Sequence, residues 1–119
     1  MASVIIDGGD LVVRLSGWER AAAFHDDIRV PLAAVSSVAI ESDPWGALRG
    51  TRAPGTGFPG VIAYGVRRLT GGRPDFAAIL RGRPVVRVEL DPPSDFARLL
   101  ISVTDADAAA AAVRTAAGL

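Results

Sequence analysis

The sequence predicts a mainly β protein that ends in an α-helix, and three features indicate this class. Short apolar runs of strand length alternate with turn residues over most of the chain. A stretch rich in glycine and proline, from 44 to 60, interrupts these runs and is predicted to be a long loop. An alanine-rich segment with a helical pattern follows the last run. With 119 residues, half of them hydrophobic, the chain is the size of one domain.

Strands are predicted wherever β-branched and apolar residues form a short run between turn residues. The dipeptide Gly8-Gly9 between the first two runs is typical of a tight hairpin. The short spacings after the central loop favour antiparallel neighbours and a meander, because a parallel crossover needs a dozen or more residues. The predicted strands lie near 3–6, 11–16, 27–32, 35–42, 61–66, 75–81, 84–90 and 96–103.

Two helices are predicted. The segment GWERAAAFH places Trp18 and His25 at helical spacing with two alanines between them, which indicates a short helix near 17–24. A second helix is predicted over 105–117, with Thr104 or Asp105 as its N-terminal cap and Gly118 just past its end. Small residues along one side would let this second helix lie close against a sheet.

Composition excludes several kinds of chemistry. The chain has no cysteine, which removes disulfides, thiolate metal sites and cysteine nucleophiles. Its single histidine, His25, would have to serve any Ser-His-Asp arrangement, whereas a structural role at the end of a helix is commoner. We therefore expect no catalytic residue, no metal site and no cofactor. The less favoured alternative is an enzyme that uses His25 with nearby acids.

The sequence pattern also disfavours a phosphate-loop protein, a nucleic-acid-binding protein and a transmembrane protein. The segment from Gly50 to Thr56 has the glycine spacing of a phosphate loop, but Thr56 stands where that loop needs a lysine. Aromatic residues interleaved with basic ones are scarce, so we expect no nucleic-acid partner. No apolar run approaches the roughly 20 residues that cross a bilayer, so no transmembrane segment is expected and a cytoplasmic location is the default expectation.

The central loop is predicted to form the recognition surface of the protein. Glycines at 50, 55, 57 and 60 would let backbone N–H groups converge, and nearby guanidinium groups would supply charge for a small anion or an acidic partner segment. The predicted site residues are Arg49, Arg52, Gly55, Gly57 and Gly60. In the competing interpretation, the loop is a packed cover and both arginines pair with internal acids.

The distribution of charge and the apolar content of the chain indicate which kind of partner to expect. All 13 basic residues are arginines, and eight of them lie between Pro44 and Val88 against the single acid Asp75. Pairing with acids that fold beside them is the simpler interpretation of this imbalance. The high apolar fraction and the zero formal net charge favour self-association through strand edges or the alanine-rich helix. The expected partner is thus a protein, either a second copy or one with an acidic segment.

The chain also resembles bacterial pleckstrin-homology-like (PH-like) domains, in particular those of actinobacterial proteins. The matching segments are RVPLAAVSSV over 29–38, GTRAPGT over 50–56, Pro59-Gly60, Asp75-Phe76, Arg83-Pro84 and SVTD over 102–105. The resemblance implies a seven-stranded antiparallel, partly open barrel of two nearly orthogonal sheets, closed at one end by the helix. It also implies a non-catalytic binding or scaffolding module. Eukaryotic relatives bind phosphoinositides through lysine-rich first loops, and the corresponding loops here, at 7–10 and 17–27, are acidic to neutral, so phosphoinositide binding is not expected.

Overall fold

The computed structural model describes residues 1–119, apart from the side chain of Ala53. It confirms a mainly β protein with a C-terminal helix. A smaller sheet contains β1 (Ser3–Asp7), β2 (Asp10–Arg14) and β3 (Ile28–Pro31), and a larger sheet contains β4 (Val35–Glu41), β5 (Thr51–Phe58), β6 (Ile62–Arg68), β7 (Asp75–Leu80), β8 (Val85–Leu90) and β9 (Arg98–Ser102). The α-helices are α1 (Gly17–Ala23), α2 (Pro44–Ala47) and α3 (Ala106–Ala117).

The strand order corrects two expectations. The larger sheet has the order β4-β8-β9-β7-β6-β5, so β9 lies between β7 and β8. Because β9 runs parallel to β7, the predicted meander and the all-antiparallel arrangement of seven strands are both wrong. The side chains of Leu99, Leu100 and Ile101 are all buried, with 0%, 1% and 0% exposed, so β9 is apolar on both faces and belongs in the centre of a sheet. The short link from β7 to β8 needs to span only two strand spacings, about 10 Å.

The predicted loop over 44–60 is also wrong, because this stretch forms α2 and the strand β5. β5 lies at the edge of the larger sheet and pairs with β6 alone. An edge strand tolerates Pro54, and one extra residue between Arg52 and Gly55 forms a bulge there. Gly55 lies opposite Gly65, where a Cβ on Gly65 would come within 2.5 Å of the Pro54 carbonyl oxygen. The glycines therefore mark a close approach of two strands.

The two sheets pack on a shared core. Leu11 and Val13 from the smaller sheet meet Phe76 and Leu99 from the larger one, and α3 adds Val113. The sheets are not closed onto each other in the part of the chain that the structure describes, so the predicted barrel is not confirmed. Among the helices described, none has the length and apolarity to cross a bilayer.

The opposite face of the larger sheet carries a second, smaller apolar cluster. Its members are small and aliphatic residues of β6, β7, β8 and β9, including Ala63 and Ile79. Trp45, Ala47 and Leu48, in and just after α2, pack against this cluster. The short α2 segment therefore covers part of a sheet face and leaves a groove beside it.

Candidate functional site

A groove of about 320 Å³ lies between the α2 segment and the hairpin formed by β5 and β6. Trp45, Leu48 and Ala63 supply apolar side chains to the groove. Arg52 and Arg67 also line it, and neither an aspartate nor a glutamate is among the lining residues. The groove thus combines an apolar surface with two guanidinium groups.

Local sequence explains why the α2 wall stands where it does. Pro44 occupies the first turn of α2, where its missing N–H costs nothing. The Asp43 carboxylate accepts a hydrogen bond from the Gly46 N–H at 3.1 Å and caps this turn. At the other end, the Arg98 guanidinium donates to the Ala47 carbonyl at 3.3 Å. These contacts hold Trp45 against the sheet.

The hairpin that forms the other wall has a tight turn after β5. The Val61 N–H donates to the Phe58 carbonyl at 2.9 Å, and Gly60 adopts a φ of +75°, which a residue with a side chain rarely adopts. The register of the hairpin pairs Arg52 with Arg67 and Gly57 with Ala63. Arg52, Gly55 and Gly57 therefore lie on one face of β5. The two residues that follow Arg52 on this face are glycines, which have no side chain.

The structure brings three of the five predicted site residues together. Arg52, Gly57 and Gly60 line the groove, whereas Arg49 and Gly55 are not among its lining residues. The glycines at 55 and 57 lie in an extended strand, so their N–H groups do not converge as those of a loop would. The Arg52 guanidinium lies over Gly57, since a Cβ on Gly57 would collide with its Nη1 atom. Gly57 thus provides the room that this side chain occupies.

Arg49 is occupied by an internal acid. Its Nε and Nη2 atoms donate to the two carboxylate oxygens of Asp75 at 2.8 and 2.7 Å. The Asp75 side chain is only 2% exposed, so this two-point contact neutralises a buried carboxylate. Hydrogen bonding to Asp75 raises the pKa of Arg49 above its ordinary value. For Arg49, this geometry corresponds to the competing interpretation, in which the arginine is structural.

Arg67 is a groove residue that the sequence analysis missed. Its guanidinium donates to the carbonyl oxygens of Arg49 and Gly50 at 3.0 and 3.1 Å. The β6–β7 register sets Arg67 opposite Asp75, whose carboxylate is bound by Arg49. Across the described residues, no carboxylate lies within 4.0 Å of Arg52 or Arg67. The sequence signal that could have found Arg67 is a hairpin through the glycine-rich stretch, because its register sets Arg67 opposite Arg52.

His25 lies in a different groove, of about 390 Å³, with Asp27 and Asp95 among the lining residues. The His25 Nδ1 atom is 2.7 Å from the carbonyl oxygen of Asp26, and the ring packs edge-on against Phe76 at a centroid distance of 5.5 Å. Asp27 accepts the Leu15 N–H at 2.8 Å, and this hydrogen bond holds the Asp27 pKa below its ordinary value.

The contacts of the His25 imidazole are with a backbone carbonyl and with aromatic rings. No hydrogen bond joins the His25 imidazole to a carboxylate among the contacts of the described residues. Among those same residues, no three potential metal ligands lie in one cluster. The contacts that His25 does make are those of a packed side chain beside a helix end.

Comparison with protein-family models, with curated proteins and with solved structures found no match to this chain. The resemblance to PH-like domains therefore rests on the sequence segments quoted above.

Proposed function

We propose that this protein is a non-catalytic binding module of the PH-like class and that it binds an anionic ligand in the groove beside α2. The observation that carries the proposal is that Arg52 and Arg67 both line a groove in which no acid is among the lining residues. An anion in the groove would pair with a guanidinium group, and each of the two groups has the planar geometry that binds a carboxylate or phosphate at two points.

The ligand should also carry an apolar group. Trp45, Leu48 and Ala63 border the same groove as the arginines, so an apolar portion of the ligand would bury surface against them. A volume of about 320 Å³ is at the small end of the range of ligand pockets. An aromatic or branched aliphatic carboxylate, free or as a side chain, matches both the volume and the charge.

A titration with 3-phenylpropionate, followed by amide chemical shifts in a two-dimensional NMR spectrum, tests the proposal. We expect shifts at Trp45 and Ala63, which lie on opposite walls of the groove. The uncharged alcohol 3-phenylpropanol should produce much smaller shifts, because it cannot pair with the arginines. Arg52→Gln should weaken the binding about tenfold, which corresponds to one charge-assisted hydrogen bond of about 1.4 kcal/mol.

The matched control is Arg83→Gln, which removes the same charge from an exposed turn between β7 and β8. It should bind the carboxylate as the wild type does. Equal shifts for the acid and the alcohol, or the same loss in both variants, would reject an arginine-directed anion site.

A further inference from the structure

The open edge of β5 adjoins the groove. β5 is eight residues long, and among the strands that the structure describes it pairs with β6 alone. In an antiparallel pair, alternate residues direct their N–H and C=O groups away from the partner strand, so an edge strand carries unpaired polar groups. The edge at β4 is covered by α3, whose Arg114 guanidinium donates to the Val38 carbonyl at 3.0 Å. At β5, α1 packs against the strand and the Thr56 hydroxyl donates to the Ala22 carbonyl at 2.8 Å.

Natural edge strands are protected by prolines, bulges and charges, and β5 has all three in its first half only. Pro54, the bulge and Arg52 lie before Gly55. The remainder, from Gly55 to Phe58, follows a regular register with β6 and contains no proline, bulge or charged residue of its own, and the Arg52 guanidinium reaches over Gly57 on the groove face. Gly55 and Gly57 also have no side chain that would obstruct an approaching backbone. This half of the edge is therefore geometrically able to pair with another strand.

We infer that an extended acidic segment of a partner protein adds to the larger sheet as a new strand beside Gly55–Phe58 and places a carboxylate side chain against the Arg52 guanidinium, which lies over Gly57. This inference rests on the anion site proposed above and specifies its ligand. Backbone hydrogen bonds to β5 supply general affinity, and the pocket beside the strand supplies specificity for an acid.

The charge and shape of the surroundings specify the segment further. Side chains of a strand alternate between the two faces of its sheet. In the added strand, a residue whose side chain lies on the groove face therefore has two neighbours whose side chains lie on the other face. The groove face presents Arg52 and Arg67, which favours aspartate or glutamate there. Phe58, whose side chain is 66% exposed, lies at the end of the open edge and favours an apolar neighbour. The segment therefore has an acid next to apolar residues.

A phage library of random eight-residue peptides, selected against the full chain, tests the inference. The wild type should enrich peptides with an acid next to apolar residues. Arg52→Glu should lose this preference and select a basic residue at that position, whereas the control Arg83→Glu should select as the wild type does. Because Arg52 is exposed, Arg52→Glu is expected to fold, and the milder Arg52→Gln, which should lose the acid preference without gaining a basic one, provides a second variant.

The enriched peptide is then synthesised and added to the wild type. Hydrogen exchange at the amides of 55–58 should slow at least tenfold, and N-methylation of alternate peptide residues should abolish binding, since it removes the strand hydrogen bonds while retaining the charge. Strand addition would be overturned if the wild type selected peptides without an acid preference or if Arg52→Glu selected the same acidic peptides. Unchanged hydrogen exchange at the β5 amides in the presence of the peptide would also overturn it. Loss of peptide binding because a second copy of the chain pairs at β5, visible by light scattering, would overturn it as well.

The two proposals fail differently. If 3-phenylpropionate binds beside α2 but the library enriches no acidic, strand-adding peptide, the anion site stands and strand addition is rejected. If neither probe binds, both are rejected.

Discussion

Removal of the Tyr64 hydroxyl is expected to destabilise the protein, because this group donates to a carboxylate that is inaccessible to solvent. The Glu19 side chain is 0% exposed. The Tyr64 hydroxyl lies 2.5 Å from Glu19 Oε2, which also accepts the Ala2 N–H at 2.9 Å. The other carboxylate oxygen accepts the N–H and the hydroxyl of Ser16 at 3.0 and 2.8 Å. Glu19 thereby connects α1, β6 and the start of the chain.

The magnitude follows from what Tyr64→Phe removes and what it retains. The ring remains, with its packing against Trp18 at a centroid distance of 5.3 Å, so no large cavity forms. One hydrogen bond to a charged acceptor is lost, which is worth about 1.5 to 3 kcal/mol. Glu19→Ala should cost more, about 3 to 5 kcal/mol, because it leaves several buried donors without an acceptor. A double-mutant cycle with Glu19→Gln should find that the two sites are coupled.

The effect should depend on pH. Burial raises the pKa of Glu19, but hydrogen bonds from Tyr64 and Ser16, together with the α-ammonium of Met1, outweigh it and hold the pKa below its ordinary value of 4.5. A carboxyl whose pKa is lower in the folded state stabilises the protein above its unfolded pKa, and this stabilisation is lost as the pH falls through the folded pKa. The difference between the wild type and Tyr64→Phe should therefore be full at neutral pH and shrink below pH 4.5.

Urea denaturation followed by circular dichroism measures these free energies of unfolding. The measurement is made at neutral pH and again at a pH about one to two units below the ordinary carboxyl pKa. The control Ser37→Ala removes an exposed hydroxyl and should change the free energy by less than about 0.5 kcal/mol. A Tyr64→Phe variant as stable as this control at neutral pH would refute the assigned role of the hydroxyl. A difference that is the same at both pH values would refute the role of the Glu19 charge.

Two further substitutions separate structural residues from those of the groove. Arg49→Ala should lower the free energy of unfolding by about 2 to 3 kcal/mol in urea, because it leaves the buried Asp75 carboxylate unpaired, whereas Arg52→Ala should change it by less than about 0.5 kcal/mol. Equal losses would contradict this division. Gly65→Ala should cost about 1 to 3 kcal/mol, and several degrees of melting temperature, since its Cβ would enter the β5 backbone. Gly9→Ala, with open space around the new methyl group, is the control, and a comparable loss there would point to a general glycine effect.

Local sequence determined most of the elements individually. The Gly8-Gly9 turn joins β1 to β2, which pair in register from Ser3 opposite Arg14 to Asp7 opposite Asp10. The C-terminal helix has the predicted ends, because the Asp105 carboxylate accepts the Ala108 N–H at 3.0 Å and Gly118 adopts a left-handed φ of +74°. Turns and caps are decided by a few adjacent residues, so a single sequence is sufficient to predict them.

The neighbours of each strand were decided only by tertiary structure. The apolar run of β9 indicates burial on both faces, but it does not specify between which strands β9 lies. The glycines and Pro54 excluded a regular central strand, and they were equally compatible with a loop or with an edge strand that crosses closely over β6. Strand pairing depends on contacts between residues distant in sequence, and residue periodicity carries no information on them.

The same limit applies to the candidate site. Arg49 and Arg52 are the same residue type, three positions apart in one stretch, so the sequence treats them alike. Tertiary structure separates them, because Asp75 of β7 pairs with Arg49 whereas the β5–β6 register sets Arg52 opposite Arg67. The sequence determined that this stretch concentrates positive charge. Which of its guanidinium groups neutralises a buried acid and which lies in a groove depends on the strand that folds beside each one, since a buried carboxylate must be paired wherever the fold places it.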